Sequence, residues 1–167
     1  PIVEGDIIYC SAGYGVGAAA FRVSKKGGKY SSKQLWRKPN KLMNHWSTPV
    51  CKDGHLYGMF QFKEYGNGPL KCIELETGEI KWSKSGFGPG GVILVDGKLI
   101  ATSDTGEVVV SKATPKAYNE IGRFKAIDGK CWTHAAYSDG QIYVRSTKEG
   151  ARFDLKGSLD GSTTDRR

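Results

Sequence analysis

Apolar residues in this chain come in runs of three to six, broken at short intervals by glycine beside an acidic or polar residue, a pattern of short strands and tight turns rather than of amphipathic helices. One arrangement recurs. An acidic-glycine turn followed by an apolar strand appears as Glu4-Gly5-Asp6-Ile7-Ile8-Tyr9, Asp53-Gly54-His55-Leu56-Tyr57, Asp96-Gly97-Lys98-Leu99-Ile100 and Asp139-Gly140-Gln141-Ile142-Tyr143, with the glycines 49, 43 and 43 residues apart. Primed hairpin turns need positive φ at their centre, which glycine and aspartate tolerate, so each of these sites predicts a hairpin tip.

Before each tip lies a strand such as Val92 to Val95, and after it another such as His55 to Phe60 or Gln141 to Arg145. A third strand follows a second glycine-bearing turn, with Phe21, Ile73 and Phe153 at equivalent places. A fourth strand closes on an aromatic: Trp36, then Trp82 after the Thr77-Gly78 turn, then Phe124. The unit is therefore about 43 residues in four antiparallel strands, the period and strand count of a propeller blade. The predicted fold is all-β: a β-propeller of four-stranded antiparallel blades, about four of them, near 1–38, 44–84, 89–125 and 130–156. Residues 157–167 are polar and predict a mobile tail. Thr114 to Ile121, with Pro115 near its start, is the best candidate for a turn of helix and fits an extended loop equally.

Composition agrees with this picture. Among 167 residues there are 23 glycines, about twice the usual share. No apolar run approaches 18 residues, so no membrane-spanning helix is expected. The net charge of +8 raises nucleic acid as a partner, but the lysines are spread along the chain and no zinc-finger, helix-turn-helix or RNA-recognition pattern is present, which favours a solvated surface. Cys10, Cys51, Cys72 and Cys131 stand apart with no CxxC or Cys-Cys pair; each falls in or beside a predicted strand and is expected to be a structural thiol, with disulfide pairing left open. Pro1 at the start predicts a processed product or a fragment.

The stretch Leu75-Glu76-Thr77-Gly78-Glu79-Ile80-Lys81-Trp82 resembles the tryptophan-docking repeat of quinoprotein-type, or PQQ-like and BamB-like, propellers. Asn44 to Gly58, Leu70 to Leu75 and Asp128 to Thr133 are similar to the carboxy-terminal part of PQQ-binding-like propeller proteins of planctomycete-type bacteria. The resemblance implies a periplasmic or exported bacterial protein and leaves several functions open, because the repeat serves quinone-dependent dehydrogenases, scaffolds of outer-membrane assembly and others. In the dehydrogenase branch it implies pyrroloquinoline quinone (PQQ) held by an adjacent Cys-Cys disulfide, a tryptophan and a calcium bound by Glu, Asn and Asp. This sequence lacks the Cys-Cys pair and any such clustered ligands, so no cofactor is expected here.

Such propellers usually close with seven or eight blades. About four therefore predict either the remainder of a longer propeller or a homodimer that completes the ring. The expected function is a non-catalytic binding or scaffold module that presents a ring end to a protein or glycan; the alternative is part of a PQQ-dependent alcohol or sugar dehydrogenase whose catalytic residues lie elsewhere.

Trp46 and Trp132 each stand seven residues before an Asp-Gly tip, at the same place in two blades, facing a ring end. With Asn44, His45 and His134 beside them they form either a ligand platform or blade-to-blade packing. Arg145 lies either on the central channel or at a solvent edge. Trp36 and Trp82 are expected to wedge between blades, their N–H groups satisfied by backbone. Gly13-Tyr14-Gly15-Val16-Gly17 looks like a phosphate-cradling loop but joins two strands, so no anion site follows from it. His45, His55 and His134 are not spaced as zinc ligands, and no nucleophile–base pair is predicted, so neither a metal site nor catalytic residues are expected.

Overall fold

The computed structural model describes residues 1–60 and 66–155. They form four antiparallel sheets with no helix, and none of the described segments is a helix long and apolar enough to cross a membrane. The first sheet contains β1 (Ile2–Glu4), β2 (Ile7–Ala12), β3 (Gly17–Lys26) and β4 (Lys29–Lys38). The second contains β5 (Val50–Lys52), β6 (His55–Met59), β7 (Leu70–Glu74) and β8 (Ile80–Lys84). The third contains β9 (Gly91–Val95), β10 (Lys98–Thr102), β11 (Glu107–Lys112) and β12 (Glu120–Lys125). The fourth contains β13 (Ala136–Ser138), β14 (Gln141–Arg145) and β15 (Gly150–Asp154). Within each sheet the strands pair in sequence order. The fourth sheet has three strands among the described residues, and the predicted tail at 157–167 lies outside them.

The local cause of each first hairpin is a two-residue turn. Asp53-Gly54, Asp96-Gly97 and Asp139-Gly140 all carry positive φ at both residues, as a type I′ turn requires. The first sheet differs: Glu4 pairs with Ile7, and of the intervening residues only Gly5 has positive φ. Gly5 therefore occupies the place of Asp53 and Asp6 that of Gly54, one position away from the alignment of glycines that the sequence suggests.

Alternation along the strands gives sheets two and three two apolar faces each, and the core sits between sheets. Ile7, Tyr9, Ala20 and Trp36 pack against Leu56, Ile73 and Leu75. Tyr57, Met59, Leu70 and Cys72 pack against Val92, Leu99, Ala101 and Val109. Ile100 and Val108 pack against Ile142 and Val144. The first strands of neighbouring sheets, β1 with β5 and β5 with β9, also lie beside one another, so they are innermost and the sheets radiate outward as propeller blades do. Thr114 to Asn119 is a loop that supplies a carbonyl to the Trp82 indole, not a helix.

Candidate functional site

Each innermost strand starts at one end of the stack, opposite the Asp-Gly tips. Here the chain segments leading into β5, β9 and β13 meet. Trp46, leading into β5, and Trp132, leading into β13, lie with ring centroids 5.7 Å apart although a whole sheet separates them in sequence. The segment between them makes this possible: it is Gly90-Gly91, and a Cβ on Gly91 would sit 2.8 Å from the His134 Cα. No side chain fits there, so the two flanking segments close over it.

The contact extends into a strip. The His45 ring is edge-on to Trp46 at 4.0 Å and edge-on to Tyr14 at 4.7 Å. Tyr14 sits in the turn between β2 and β3 and is 74% exposed; Trp132, at the other end of the strip, is 37% exposed. The Lys130 ammonium lies 5.2 Å from the Trp132 ring centroid, a cation–π contact. Four rings from the first, second and fourth sheets thus run continuously across the ring end.

Beside the strip is a cleft of about 220 Å³ lined by Tyr9, Ser11, His45, Trp46, Ser47 and Pro49 among others. Ser47 Oγ is buried without a hydrogen-bond partner among the described residues.

The other predicted site residues divide. Asn44 is turned inward as a brace: its Oδ1 accepts the Tyr9 hydroxyl at 2.6 Å, its Nδ2 donates to the Met59 carbonyl at 2.9 Å, and its backbone N–H donates to Ser11 Oγ at 2.7 Å. Burial holds the Tyr9 phenol far above its usual range, so that hydroxyl stays a donor. His134 Nε2 lies 3.1 Å from the Thr48 carbonyl oxygen, which can only accept, so this nitrogen carries the proton and ties the fourth sheet's lead-in to the second's. Arg145 is exposed at the end of β14, opposite Gly150 in register, and its described contacts do not include the strip.

Tyr14, Ser47 and Lys130 join the site although sequence reasoning did not select them. Tyr14 carried a usable signal, an aromatic at the centre of a glycine-rich turn where solubility gives no reason for one.

Three of the four cysteines are poor nucleophiles. All four are free thiols, and burial pushes Cys51 and Cys72 up to about 11 and raises Cys131 as well, so these remain protonated at neutral pH. Cys10 departs from expectation: it is exposed on the outward face of the first sheet rather than buried. Among the described residues no three His, Cys, Asp or Glu side chains converge as a metal site would need.

No protein-family profile matches the sequence, and no curated protein matches it. Among solved structures, the crystal structure of BamB from Moraxella catarrhalis is similar, with a TM-score of 0.65 over 91% of this chain at 15% identity. The match covers 41% of that BamB chain, so these 167 residues span about two-fifths of its length. At that identity the likeness shows the fold: the chain is a run of β-propeller blades of the BamB kind.

Proposed function

We propose that this chain is a non-catalytic propeller module that binds an extended segment of a protein partner across its ring end. The observation that carries this is the continuous strip Tyr14–His45–Trp46–Trp132, assembled from three sheets and flanked by a cleft that Ser47 helps to line. Aromatic rings with exposed edges are the anchors that protein interfaces favour, and a cleft of about 220 Å³ suits one side chain of a partner. A peptide fits this strip better than a sugar does, because the Trp132 ring is contacted by Lys130 and Trp46, which occupy surface a pyranose would need.

Export to the periplasm or cell surface, and kinship with the PQQ-binding-like propellers of planctomycete-type bacteria, belong to the same proposal and rest on the sequence resemblance. The test is to pan the chain against a displayed random 12-residue peptide library and titrate the enriched peptides by fluorescence anisotropy. Trp132→Ala and Tyr14→Ser are expected to weaken them about tenfold or more, a typical anchor effect, while Arg145→Gln leaves them unchanged. Peptides indifferent to both strip substitutions, or oligosaccharides bound in their place, would overturn the reading. So would dye reduction of alcohols or sugars by the chain supplied with pyrroloquinoline quinone and calcium.

A further inference from the structure

The lysines run the length of the chain, but the excess of positive charge does not. Residues 1–52 hold nine Lys and Arg against two Asp and Glu, while the remaining residues hold sixteen against fifteen. Nearly all of the net +8 therefore belongs to the first sheet and the segment that follows it.

The fold concentrates this charge further. Phe21 pairs with Gln34 as Ile73 pairs with Ile80, each just past a bulge, yet twelve residues intervene in the first sheet and six in the second. The extra length is a two-stranded ribbon. β3 pairs with β2 only as far as Arg22, and the Val23 N–H donates to the Asp6 carbonyl, so Ser24 to Lys26 and their partners Lys29 to Ser31 continue past the sheet. Three residues of strand carry the tip roughly 10 Å beyond the Gly5-Asp6 turn. Gly27 and Gly28, both with positive φ, close it, and residues 24–34 are all exposed.

Register places the side chains. Lys26 stands directly opposite Lys29; next on the same face are Ser24 and Ser31, with their hydroxyl oxygens 2.9 Å apart, and then Arg22 opposite Lys33. On the other face Lys25 stands opposite Tyr30, its ammonium 5.0 Å from the ring centroid, and Tyr30 is 72% exposed. The Arg22 guanidinium is engaged by Asp6 and Glu76 at 3.1 and 2.7 Å. Among the described residues no carboxylate pairs with Lys25, Lys26, Lys29 or Lys33.

Like charges directly opposite one another on paired strands are destabilising. Lysine does guard exposed strand edges, but here the ribbon creates the edges that need guarding, and the short turn of the second sheet does without them. Local stability is given up for a cationic tip, which points to an anionic partner.

The arrangement of the charges says which kind. They lie on both faces around the tip instead of in a row along one face, so the partner is met end-on and is broader than the ribbon. The four cations are lysines, point charges without the planar fork that arginine offers a single phosphate, and the apex is bare glycine with nothing to read base edges in a groove. Tyr30 adds a ring with an apolar body and a polar end at the same level, as suits a bilayer interface. The exposed acidic tips Asp53, Asp96 and Asp139 lie at the same end of the stack. A projection of about 10 Å exceeds the Debye length at physiological salt, about 8 Å, and so holds those acids out of reach of a negative surface.

We propose that the β3–β4 ribbon is a membrane-contacting finger, with Lys25, Lys26 and Lys29, backed by Lys33, meeting the phosphate headgroups of an anionic bilayer and Tyr30 seated among them. It lies at the opposite end of the stack from the aromatic strip and does not rest on it; a chain held by the ribbon presents the strip away from the membrane.

The test is flotation of the 167-residue chain with vesicles of phosphatidylglycerol and phosphatidylcholine in equal parts, beside vesicles of phosphatidylcholine alone. The chain is expected to float with the anionic vesicles only, and to be released as salt rises from about 50 to about 500 mM. Lys26→Glu sets an opposite charge across from Lys29, which keeps the ribbon paired, and is expected to lower vesicle affinity at least about tenfold. Should that variant not fold, Lys29→Ser is expected to lower affinity about fivefold. Lys148→Glu makes the same change in charge in the exposed β14–β15 turn at the other end of the stack and leaves affinity unchanged. Peptides selected at the strip bind Lys26→Glu normally, so the two proposals fail separately. No flotation, flotation that survives Lys26→Glu and Lys29→Ser, or an equal loss from Lys148→Glu would sink the proposal. So would tighter binding, at the same salt, of a short DNA duplex or of dextran sulfate than of the vesicles, since the partner would then be a linear polyanion.

Discussion

The Trp36 indole N–H donates to the Leu75 carbonyl oxygen at 2.9 Å, across the boundary between the first and second sheets. Trp82 makes the same reach into the third sheet, to the Thr114 carbonyl at 2.8 Å. At the third boundary Phe124 meets Phe153 edge-on, with centroids 5.0 Å apart and no donor. Each outer strand thus ends in an aromatic that fastens the next sheet, which is why the closing aromatics recur at the blade period. Trp36→Phe keeps most of the ring and removes the donor, leaving the Leu75 carbonyl without that partner. It is expected to destabilise the fold by about 1 kcal/mol, and Trp36→Ala by about 3–5 kcal/mol through the cavity it opens. Urea unfolding checks both; no loss from Trp36→Phe would mean that packing alone holds the boundary.

Two glycines with nearly the same backbone separate strain from crowding. Gly54 has φ +71° with nothing within 4 Å of a would-be Cβ, whereas Gly78 has φ +67° and its Cβ would lie 2.9 Å from the Trp36 ring. Gly54→Ala meets only the left-handed strain, about 1 kcal/mol. Gly78→Ala adds displacement of a buried indole and is expected to cost about 2–3 kcal/mol. The excess should vanish in a Trp36→Ala background, and a double-mutant cycle on thermal unfolding measures it.

Acid should loosen the third sheet before neutral or basic pH does. Arg123 bridges Glu120 on its own strand and Glu107 on the paired strand, at 3.1 and 2.9 Å. The Arg123 hydrogen bonds hold the Glu120 carboxyl below its usual range, and the Thr77 hydroxyl does the same for Glu74. A carboxylate with a folded pKa below its unfolded value contributes stability above the unfolded value, about 4.3, and loses it as pH falls through the folded value. The melting temperature is therefore expected to hold from pH 7 to pH 5 and drop below about pH 4. Glu120→Gln should remove part of that drop, with an effect under about 1 kcal/mol at neutral pH because the pair is partly solvated.

What was legible in the sequence is what is local. The Asp-Gly tips declare themselves because positive φ at two successive residues restricts the choice of residue, and three tips carry it. The first sheet slips by one position for the same local reason: its turn needs positive φ only at Gly5, so glycine comes first. The meeting of Trp46 and Trp132 was not legible, because it depends on how far neighbouring sheets rotate about the axis and on the bare Gly91 between them. Asn44 illustrates the converse: beside His45 and Trp46 in sequence it looks like a ligand, yet its amide is spent joining Tyr9 to Met59. Cys10, read as a buried strand thiol, is exposed because strand alternation puts it on the flank that no described sheet covers.

The aromatic strip can be broken without touching any of its rings. Gly13 is buried beneath His45, and a Cβ there would overlap the imidazole, forcing the ring off its seat between Tyr14 and Trp46. Gly13 does not have positive φ, so alanine brings no backbone strain of its own, and the displaced ring can swing toward solvent. Gly13→Ala is therefore expected to lower stability by no more than about 1 kcal/mol while weakening the selected peptides about tenfold or more. Gly122→Ala, on a strand with open space around its would-be Cβ and no positive φ, serves as the matched control and should change neither quantity. Titration of both variants beside urea unfolding decides the matter. Peptide affinity that survives Gly13→Ala would mean the strip's continuity is a packing feature of the ring end, and binding would have to be sought at the cleft alone.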